Sequence, residues 1–210
     1  MGIFDQFLKA LCAVMFLSIS GAVPVHAQLG GLLGGLTGAD AGSSPASAGT
    51  FISAYGESKY LAKDADSKLF QALGDKVNAA KSAEEAESLK SGMTDAELLG
   101  KALKTQSHDD PLKSAENITM DADSKVVYVE GLISLAKAVV KAKEATGMAS
   151  GVASSLAGNP LTMGATAKAT LSIAKDAPSH LKNLGSALNN AVQFAKDQGI
   201  DVPADVTNVL

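Results

Sequence analysis

The chain contains 210 residues, of which 46% are apolar, 4% aromatic and 19% charged, and its formal net charge is −4. All 18 basic residues are lysines, and this acidic, arginine-free composition argues against a nucleic-acid-binding protein, because phosphate-binding surfaces are basic and usually rich in arginine. The single cysteine, Cys12, excludes an intramolecular disulfide, and the sequence contains no strong catalytic or cofactor-binding motif.

Residues 1–27 have the three-part pattern of a secretory signal peptide. Lys9 precedes an apolar run over residues 10–23, Pro24 ends that run, and Ala27 suits the −1 position of a cleavage site. The run is shorter than the roughly 20 residues that a transmembrane helix needs. We therefore expect cleavage, export to the periplasm or the extracellular space, and no transmembrane segment after cleavage.

Residues 28–49 are expected to form a flexible arm. Glycine, serine and alanine dominate this segment, and ordering so much glycine is entropically costly. Leucines alternate with glycine pairs at its start, and they are candidate contacts for a partner or a membrane surface; these are Leu29, Leu32, Leu33 and Leu36. The alternative is that they pack loosely as part of an N-terminal arm.

Residues 50–210 are expected to form one helical domain. Apolar residues recur there at steps of three and four, and no stretch shows the sustained period-two alternation of a strand. The predicted fold class is all-α, a bundle of about six to eight helices. The predicted helices cover residues 50–80, 83–90, 95–106, 111–120, 122–146, 148–157, 160–175 and 178–198.

The segment 122–146 is apolar on nearly every side, which is typical of the central helix of a bundle. Its steps of three and four indicate one apolar stripe in particular, which consists of Val126, Val129, Ile133, Ala136 and Val140. The last long helix shows the cleanest stripe in the chain, which consists of Leu181, Leu184, Leu188, Ala191 and Ala195.

Capping signals punctuate the chain between these helices. Capping-box and Asp-Pro or Asn-Pro patterns predict helix starts, and they occur at Ser82–Glu85, Thr94–Glu97, Asp110–Pro111, Asn159–Pro160 and Asp176–Pro178. Gly199 is predicted to end the last long helix, with Ile200 folding back onto its final turn.

Two Asp-x-Asp pairs suggest calcium binding but lack the rest of a calcium loop. The pairs are Asp64 with Asp66 and Asp121 with Asp123. A helix–loop–helix calcium site requires glycine at its sixth position and glutamate at its twelfth, and neither pair has them. We interpret these aspartates as solvated residues or as residues near helix starts.

The densest polar cluster is His108, Asp109 and Asp110, which precedes Pro111 in a predicted turn. A metal site there would need ligands from elsewhere, and after signal cleavage the only other histidine is His180. His180 is expected at the surface or the boundary of the last long helix. The sequence therefore predicts no metal, no cofactor and no catalytic residue.

The segment 146–167 is uncharged and rich in small residues. Gly147, Gly151 and Ser155 share one helical face, which predicts a close approach between two interior helices. The alternative is that this segment borders an apolar cavity or touches a membrane, with Gly147, Gly151, Leu156 and Leu161 as an apolar gate.

Together these patterns predict an exported, non-enzymatic helical protein of the cell envelope or extracellular space. It would act as a binding or scaffold protein for a protein, polymer or lipid partner, and no pattern predicts its oligomeric state. The alternative function is a carrier that holds a lipid or another apolar small molecule among its helices.

Overall fold

The computed structural model describes residues 45–106, 109–115, 118–157 and 164–210. These ranges form six α-helices and one 3₁₀ turn, without any strand, which confirms the all-α class. The elements are α1 (Pro45–Ala72), α2 (Lys76–Gly92), α3 (Ala96–Lys104), a 3₁₀ turn (Pro111–Ser114), α4 (Ala122–Ala157), α5 (Ala165–Asp197) and α6 (Ala204–Thr207). The predicted signal peptide and the arm leucines Leu29, Leu32, Leu33 and Leu36 lie outside the described residues.

Three long helices, α1, α4 and α5, make up the body of the bundle. Helix α4 lies between the other two and packs along both, whereas α1 and α5 contact each other only slightly. Helix α2 packs on α1, α3 packs on α2 and α5, and the short α6 packs on α4. The prediction of a central helix beginning at residue 122 is confirmed.

Helix α1 ends earlier than the predicted residue 80. Gly74 adopts a φ of +82°, a conformation that glycine reaches without steric cost, and the backbone N–H of Asp75 donates to the carbonyl of Phe70 at 2.9 Å. Asp75 then caps α2 by accepting from the backbone N–H of Asn78 at 3.0 Å. The predicted helix start at Ser82 is therefore wrong, and Ser82 is buried inside α2.

Helices α4 and α5 are each longer than predicted. Residues 146–148 continue α4 without a break, and Pro178 lies inside α5, so the predicted helix start at Asp176–Pro178 is wrong. Local capping signals are weak compared with burial of a continuous face, and α5 buries apolar side chains from Ile173 to Ala195. The Asn159–Pro160 pair lies outside the described residues.

The remaining capping predictions are confirmed with small shifts. Asp95, one residue after Thr94, caps α3, and Asp110 caps the 3₁₀ turn with Pro111 next to it; the predicted helix over residues 111–120 is reduced to that turn. Gly199 adopts a φ of +62°, and the N–H of Ile200 donates to the carbonyl of Ala195 at 2.8 Å, which ends α5 as predicted.

The buried apolar side chains form two clusters. The first core joins the C-terminal half of α1, the N-terminal half of α4 and the C-terminal half of α5, and it includes Leu69, Tyr128, Leu132, Leu135 and Leu188. The second core joins the opposite ends of the same helices to α2 and α3, and it includes Phe51, Tyr55, Leu89, Leu99, Ala145, Ala149, Val152, Ile173 and Ala177.

The predicted apolar stripe of α4 is confirmed in part. Ala136 is buried, and Val129 and Ile133 pack partly buried against the first core. Val126 and Val140 are 60% and 49% exposed, because the centre of the buried face runs through Tyr128, Leu132 and Leu135. Among the helices that the structure describes, none combines the length and the hydropathy needed to cross a membrane.

Candidate ligand-binding cleft

A cleft of about 970 Å³ lies between α1, α3 and α5. Its walls carry lysines and carboxylates together with apolar side chains. The principal lining residues are Tyr55, Lys59, Lys63 and Asp66 from α1, Glu97, Gly100, Lys101, Leu103 and Lys104 from α3, Gln106 and Asp109–Pro111 from the following segment, and Lys168, Ser172, Ile173, Asp176, His180, Asn183, Leu184 and Ala187 from α5.

The cleft exists because α1 and α5 pack on α4 and leave a gap between themselves. Along this gap α5 presents small and polar side chains at helical spacing, such as Ser172, Asp176 and Asn183. The lining continues from residue 168 to residue 187, a length of about 28 Å at 1.5 Å per residue. The cleft is therefore elongated along α5.

Tyr55, Lys59 and Asp176 join α1 to α5 beside the second core. The hydroxyl of the fully buried Tyr55 donates a hydrogen bond to Asp176 Oδ2, and Lys59 Nζ lies 3.6 Å from the same oxygen and 5.3 Å from the centre of the Tyr55 ring. Burial, followed by the hydrogen bond to Asp176, raises the Tyr55 pKa well above its usual range. Burial lowers the pKa of Lys59, and the negative charge of Asp176 opposes that shift.

Ser58 and His180 form a second polar contact between the same helices. Ser58 Oγ donates to the carbonyl of Ala138 on α4 at 2.8 Å, and it lies 3.0 Å from His180 Nε2. Since the single hydroxyl proton of Ser58 is used on Ala138, His180 Nε2 must carry a proton and donate it to Ser58. This arrangement is the reverse of a catalytic pair, in which the histidine accepts the proton of the serine.

The prediction that His180 lies at the surface or boundary of the fold is wrong. Its exposed fraction is 7%, and burial, assisted by the positive charge of Lys59, lowers its pKa to about 3. A signal was present in the sequence, because residues 177, 180, 184, 188 and 191 follow one another at steps of three and four. Its partner Ser58 is 122 residues away and could not be identified from local spacing.

Every carboxylate among the described residues that line the cleft has a partner. Asp66 lies 3.4 Å from Lys63, which also lies 2.9 Å from Glu85. Burial raises the pKa of Asp66 to about 6, although Lys63 opposes the shift. The other partners are Tyr55 and Lys59 for Asp176, Thr166 for Glu97, Lys81 for Asp109, and the backbone N–H of Leu112 for Asp110.

Three lysines at the cleft have no such partner. Lys101, Lys104 and Lys168 are exposed, and within the part of the chain that the structure describes none of them makes an ion pair or a side-chain hydrogen bond. The cleft therefore offers ammonium groups to a ligand, whereas its carboxylates are already engaged.

The close helix approach predicted through Gly147, Gly151 and Ser155 is wrong. All three residues are exposed on the outer face of α4, and a Cβ atom at either glycine would have no neighbour within 4 Å. Ala145, Ala149 and Val152 occupy the buried face instead.

The gate proposed on the same segment stays a prediction. Leu156 packs partly buried against the second core, while Leu161 lies outside the described residues. The close approaches that glycine permits occur elsewhere, where Gly56 faces Met93 and Gly131 faces Leu69.

Asp121 accepts from the backbone N–H of Ser124 at 2.7 Å at the start of α4, as expected of a residue near a helix start. Asp64 and Asp66 instead lie in the interior of α1, where Asp64 accepts from Lys68 at 2.6 Å and from Ser134 Oγ of α4 at 2.7 Å. Within the described ranges, no three histidine, cysteine, aspartate or glutamate side chains gather as a metal site; His108 lies outside those ranges.

Neither a protein-family model, nor a curated protein, nor a solved structure shows a significant match to this chain.

Proposed function

We propose that this chain is an exported, non-enzymatic helical binding protein whose ligand occupies the cleft between α1, α3 and α5. The cleft itself carries the proposal, because about 970 Å³ is at the upper end of the range in which proteins bind ligands, roughly 300–1,000 Å³. Its lining combines apolar side chains with convergent polar groups, which is the composition expected of a binding site.

The polar contacts beside the second core support binding rather than catalysis. His180 donates to Ser58, so it does not activate the serine hydroxyl as a general base would. Tyr55 and Lys59 both engage Asp176, and these contacts hold α1 and α5 in position on one side of the cleft. We interpret the cluster as the rigid support of the site.

The place of action rests on the sequence of residues 1–27, which predicts export. The ligand would accordingly belong to the cell envelope or the extracellular space. The alternative function is a carrier of a lipid or another apolar molecule. The surface of the cleft is more apolar than polar, as such a carrier requires, but lysines and carboxylates also stand among its lining side chains.

The proposal is tested on residues 28–210 purified under native conditions from the exported fraction. Mass spectrometry of extracts and chemical cross-linking would identify what is retained, and Ser172→Trp would fill the cleft without changing its charge. The matched control is Ser150→Trp on the exposed face of α4. We expect the retained molecule to be lost only from Ser172→Trp.

Equal retention by both tryptophan variants would contradict binding in the cleft. A stoichiometric amphiphile lost from Ser172→Trp would favour the carrier function over binding of a polar partner. The folded state of each variant is checked by circular dichroism, since both substitutions are on exposed positions of long helices.

A further inference from the structure

We propose that the occupant of the cleft is an acidic peptide segment of a partner protein, whose carboxylates contact Lys101, Lys104 and Lys168. This inference rests on the proposed function and names the chemical class of its ligand. It follows from the positions of these lysines, from one buried amide donor, and from the length and lining of the cleft.

The three lysines converge although they come from two helices. Lys101 and Lys104 are three residues apart and therefore lie on one side of α3. Helix α3 contacts the first turns of α5, because Thr166 Oγ1 donates to Glu97 at 2.6 Å and a Cβ atom on Gly100 would lie 4.0 Å from that of Ala169. Lys168 thereby joins the two α3 lysines at the same end of the cleft.

The local charge at this end favours an anion despite the net charge of −4 for the whole chain. The hydrogen bond from Thr166 leaves the negative charge of Glu97 in place, so Glu97 offsets one of the three lysines and an excess of positive charge remains at this end. The three ammonium groups thus act together on an incoming ligand, and clustered charges of one sign raise the local concentration and the association rate of the opposite charge.

Gln106 supplies an independent indication that a ligand acceptor is missing. Its Nε2 atom is buried, and it has no hydrogen-bond partner among the residues that the structure describes. Gln106 lines both the cleft and a smaller pocket of about 240 Å³ next to α2, and a buried donor without an acceptor costs free energy. Because the donor is buried, the side chain must turn toward the cleft before a backbone carbonyl or a carboxylate of the ligand can satisfy it.

The shape of the cleft favours a peptide over a compact anion. Its length of about 28 Å matches an extended segment of about eight residues at 3.3 Å per residue. Apolar side chains line the same groove, including Leu103, Ile173 and Leu184. Side chains alternate along an extended peptide, so one side can meet the lysines while the other meets this apolar surface.

The test measures fluorescence anisotropy of labelled octapeptides on residues 28–210. Alternating Glu-Ala, Gln-Ala and Lys-Ala octapeptides isolate the charge, and we expect saturable binding of the Glu-Ala peptide alone. The triple variant Lys101→Gln/Lys104→Gln/Lys168→Gln should bind about tenfold more weakly, at roughly twofold for each exposed charge. Gln106→Leu should weaken binding as well, because it removes the buried donor.

The matched control is Lys137→Gln/Lys182→Gln/Lys196→Gln. This triple variant removes three positive charges from exposed lysines outside the cleft. Lys196 lies in the last turn of its helix, as Lys104 does. This triple should bind like the wild type. Equal weakening by the two triples, or equal binding of the Gln-Ala peptide, would overturn the inference.

The remaining outcomes separate this inference from the proposed function. If a native ligand is lost from Ser172→Trp yet the Glu-Ala peptide does not bind, the cleft is a binding site and the acidic peptide is the wrong class. If the peptide binds equally to Ser172→Trp and wild type, binding lies outside the cleft and both proposals fail. Binding of an oligogalacturonate in place of the peptide would assign the site to an acidic polysaccharide.

Discussion

The two ends of the bundle join the same three helices in different ways. In the first core, leucines fill the space, the rings of Tyr128 and Phe194 lie 5.6 Å apart, and the Tyr128 hydroxyl donates to the carbonyl of Ala191 at 3.0 Å. Beside the second core, Tyr55 and Ser58 reach α5 through hydrogen bonds, and a cleft remains between α1 and α5.

On α4 and α5 the buried side chains of the second core are smaller than those of the first, whereas α1 contributes its largest side chains to the second core. Leu132 and Leu188 are fully buried in the first core, whereas Ala145 and Ala177 occupy buried positions of the same helices in the second. Each buried CH₂ group contributes about 0.8 kcal/mol, so alanine positions contribute less to stability and fill less volume. The cleft begins beside the second core and continues along α5 to Leu184, which belongs to the first core.

The largest expected effect comes from emptying the first core. Leu132→Ala should lower the free energy of unfolding by about 3 kcal/mol, because it removes buried methyl groups and leaves a cavity. Ala145→Gly, at an equally buried position of the second core, should cost only about 1–2 kcal/mol through one methyl group and helix propensity. Urea denaturation measures both, and equal losses would contradict the contrast between the cores.

Overpacking at Gly56, beside the second core, should have the next largest effect on the free energy of unfolding. A Cβ atom at Gly56 would lie 2.7 Å from both the Cβ atom and the carbonyl oxygen of Met93, which connects α2 to α3. The backbone there cannot move aside without displacing those helices, so Gly56→Ala should cost about 2 kcal/mol despite its higher helix propensity. A midpoint of urea denaturation at or above that of the wild type would show that the contact relaxes freely.

The pH dependence of stability should identify the buried neutral histidine. The His180 pKa is about 3 in the folded protein and 6.5 in the unfolded chain, so the unfolded chain binds the extra proton between these values. The contribution of His180 to stability is therefore complete above pH 6.5 and declines as the pH falls toward 3. Asp66 has the opposite effect on stability as the pH falls. Its folded pKa of about 6 lies above the unfolded value of 3.8, so its protonation favours the folded state.

A comparison with His180→Gln separates the histidine from Asp66, since the carboxylate is common to both proteins. Glutamine keeps an N–H donor toward Ser58 but does not titrate. Between pH 7 and pH 5, the free energy of unfolding of the wild type should fall by about 2 kcal/mol more than that of the variant. A difference in unfolding free energy that does not change with pH would show that His180 is solvated in the folded protein.

The sequence sufficed for those features that neighbouring residues determine. The spacing of apolar residues predicts the all-α class and the central position of α4. The Asp-Pro pair predicts the cap at Asp110, and Gly199, which adopts a positive φ, predicts the end of α5. The predicted face of Val126 is wrong because α4 is apolar on nearly every side, so periodicity could not select the buried one.

The cleft depended on contacts that no local pattern contains. Ser58 meets Ala138 across 80 residues, and Tyr55 meets Asp176 across 121 residues. The predicted helix start at Asp176–Pro178 also divided α5 at the place where the intact helix lines the cleft. Long-range packing, which overrides weak capping signals, therefore determined both the site and the length of the helices around it.

The smallest expected effect distinguishes glycines that share a helix but have different surroundings. Gly147 lies on the exposed face of α4, where an added methyl group would have no neighbour within 4 Å, so Gly147→Ala should stabilise the protein by about 0.5–1 kcal/mol through helix propensity. Gly131 lies in the first core of the same helix, where the methyl group would lie 2.9 Å from Leu69 Cδ2. In Gly131→Ala the cost of displacing Leu69 should therefore cancel the gain in helix propensity. Its free energy of unfolding should be at least about 1 kcal/mol lower than that of Gly147→Ala. Thermal and urea denaturation of the two variants make the comparison, and a stabilisation of the same size at both positions would mean that the first core is packed less tightly than its contacts indicate.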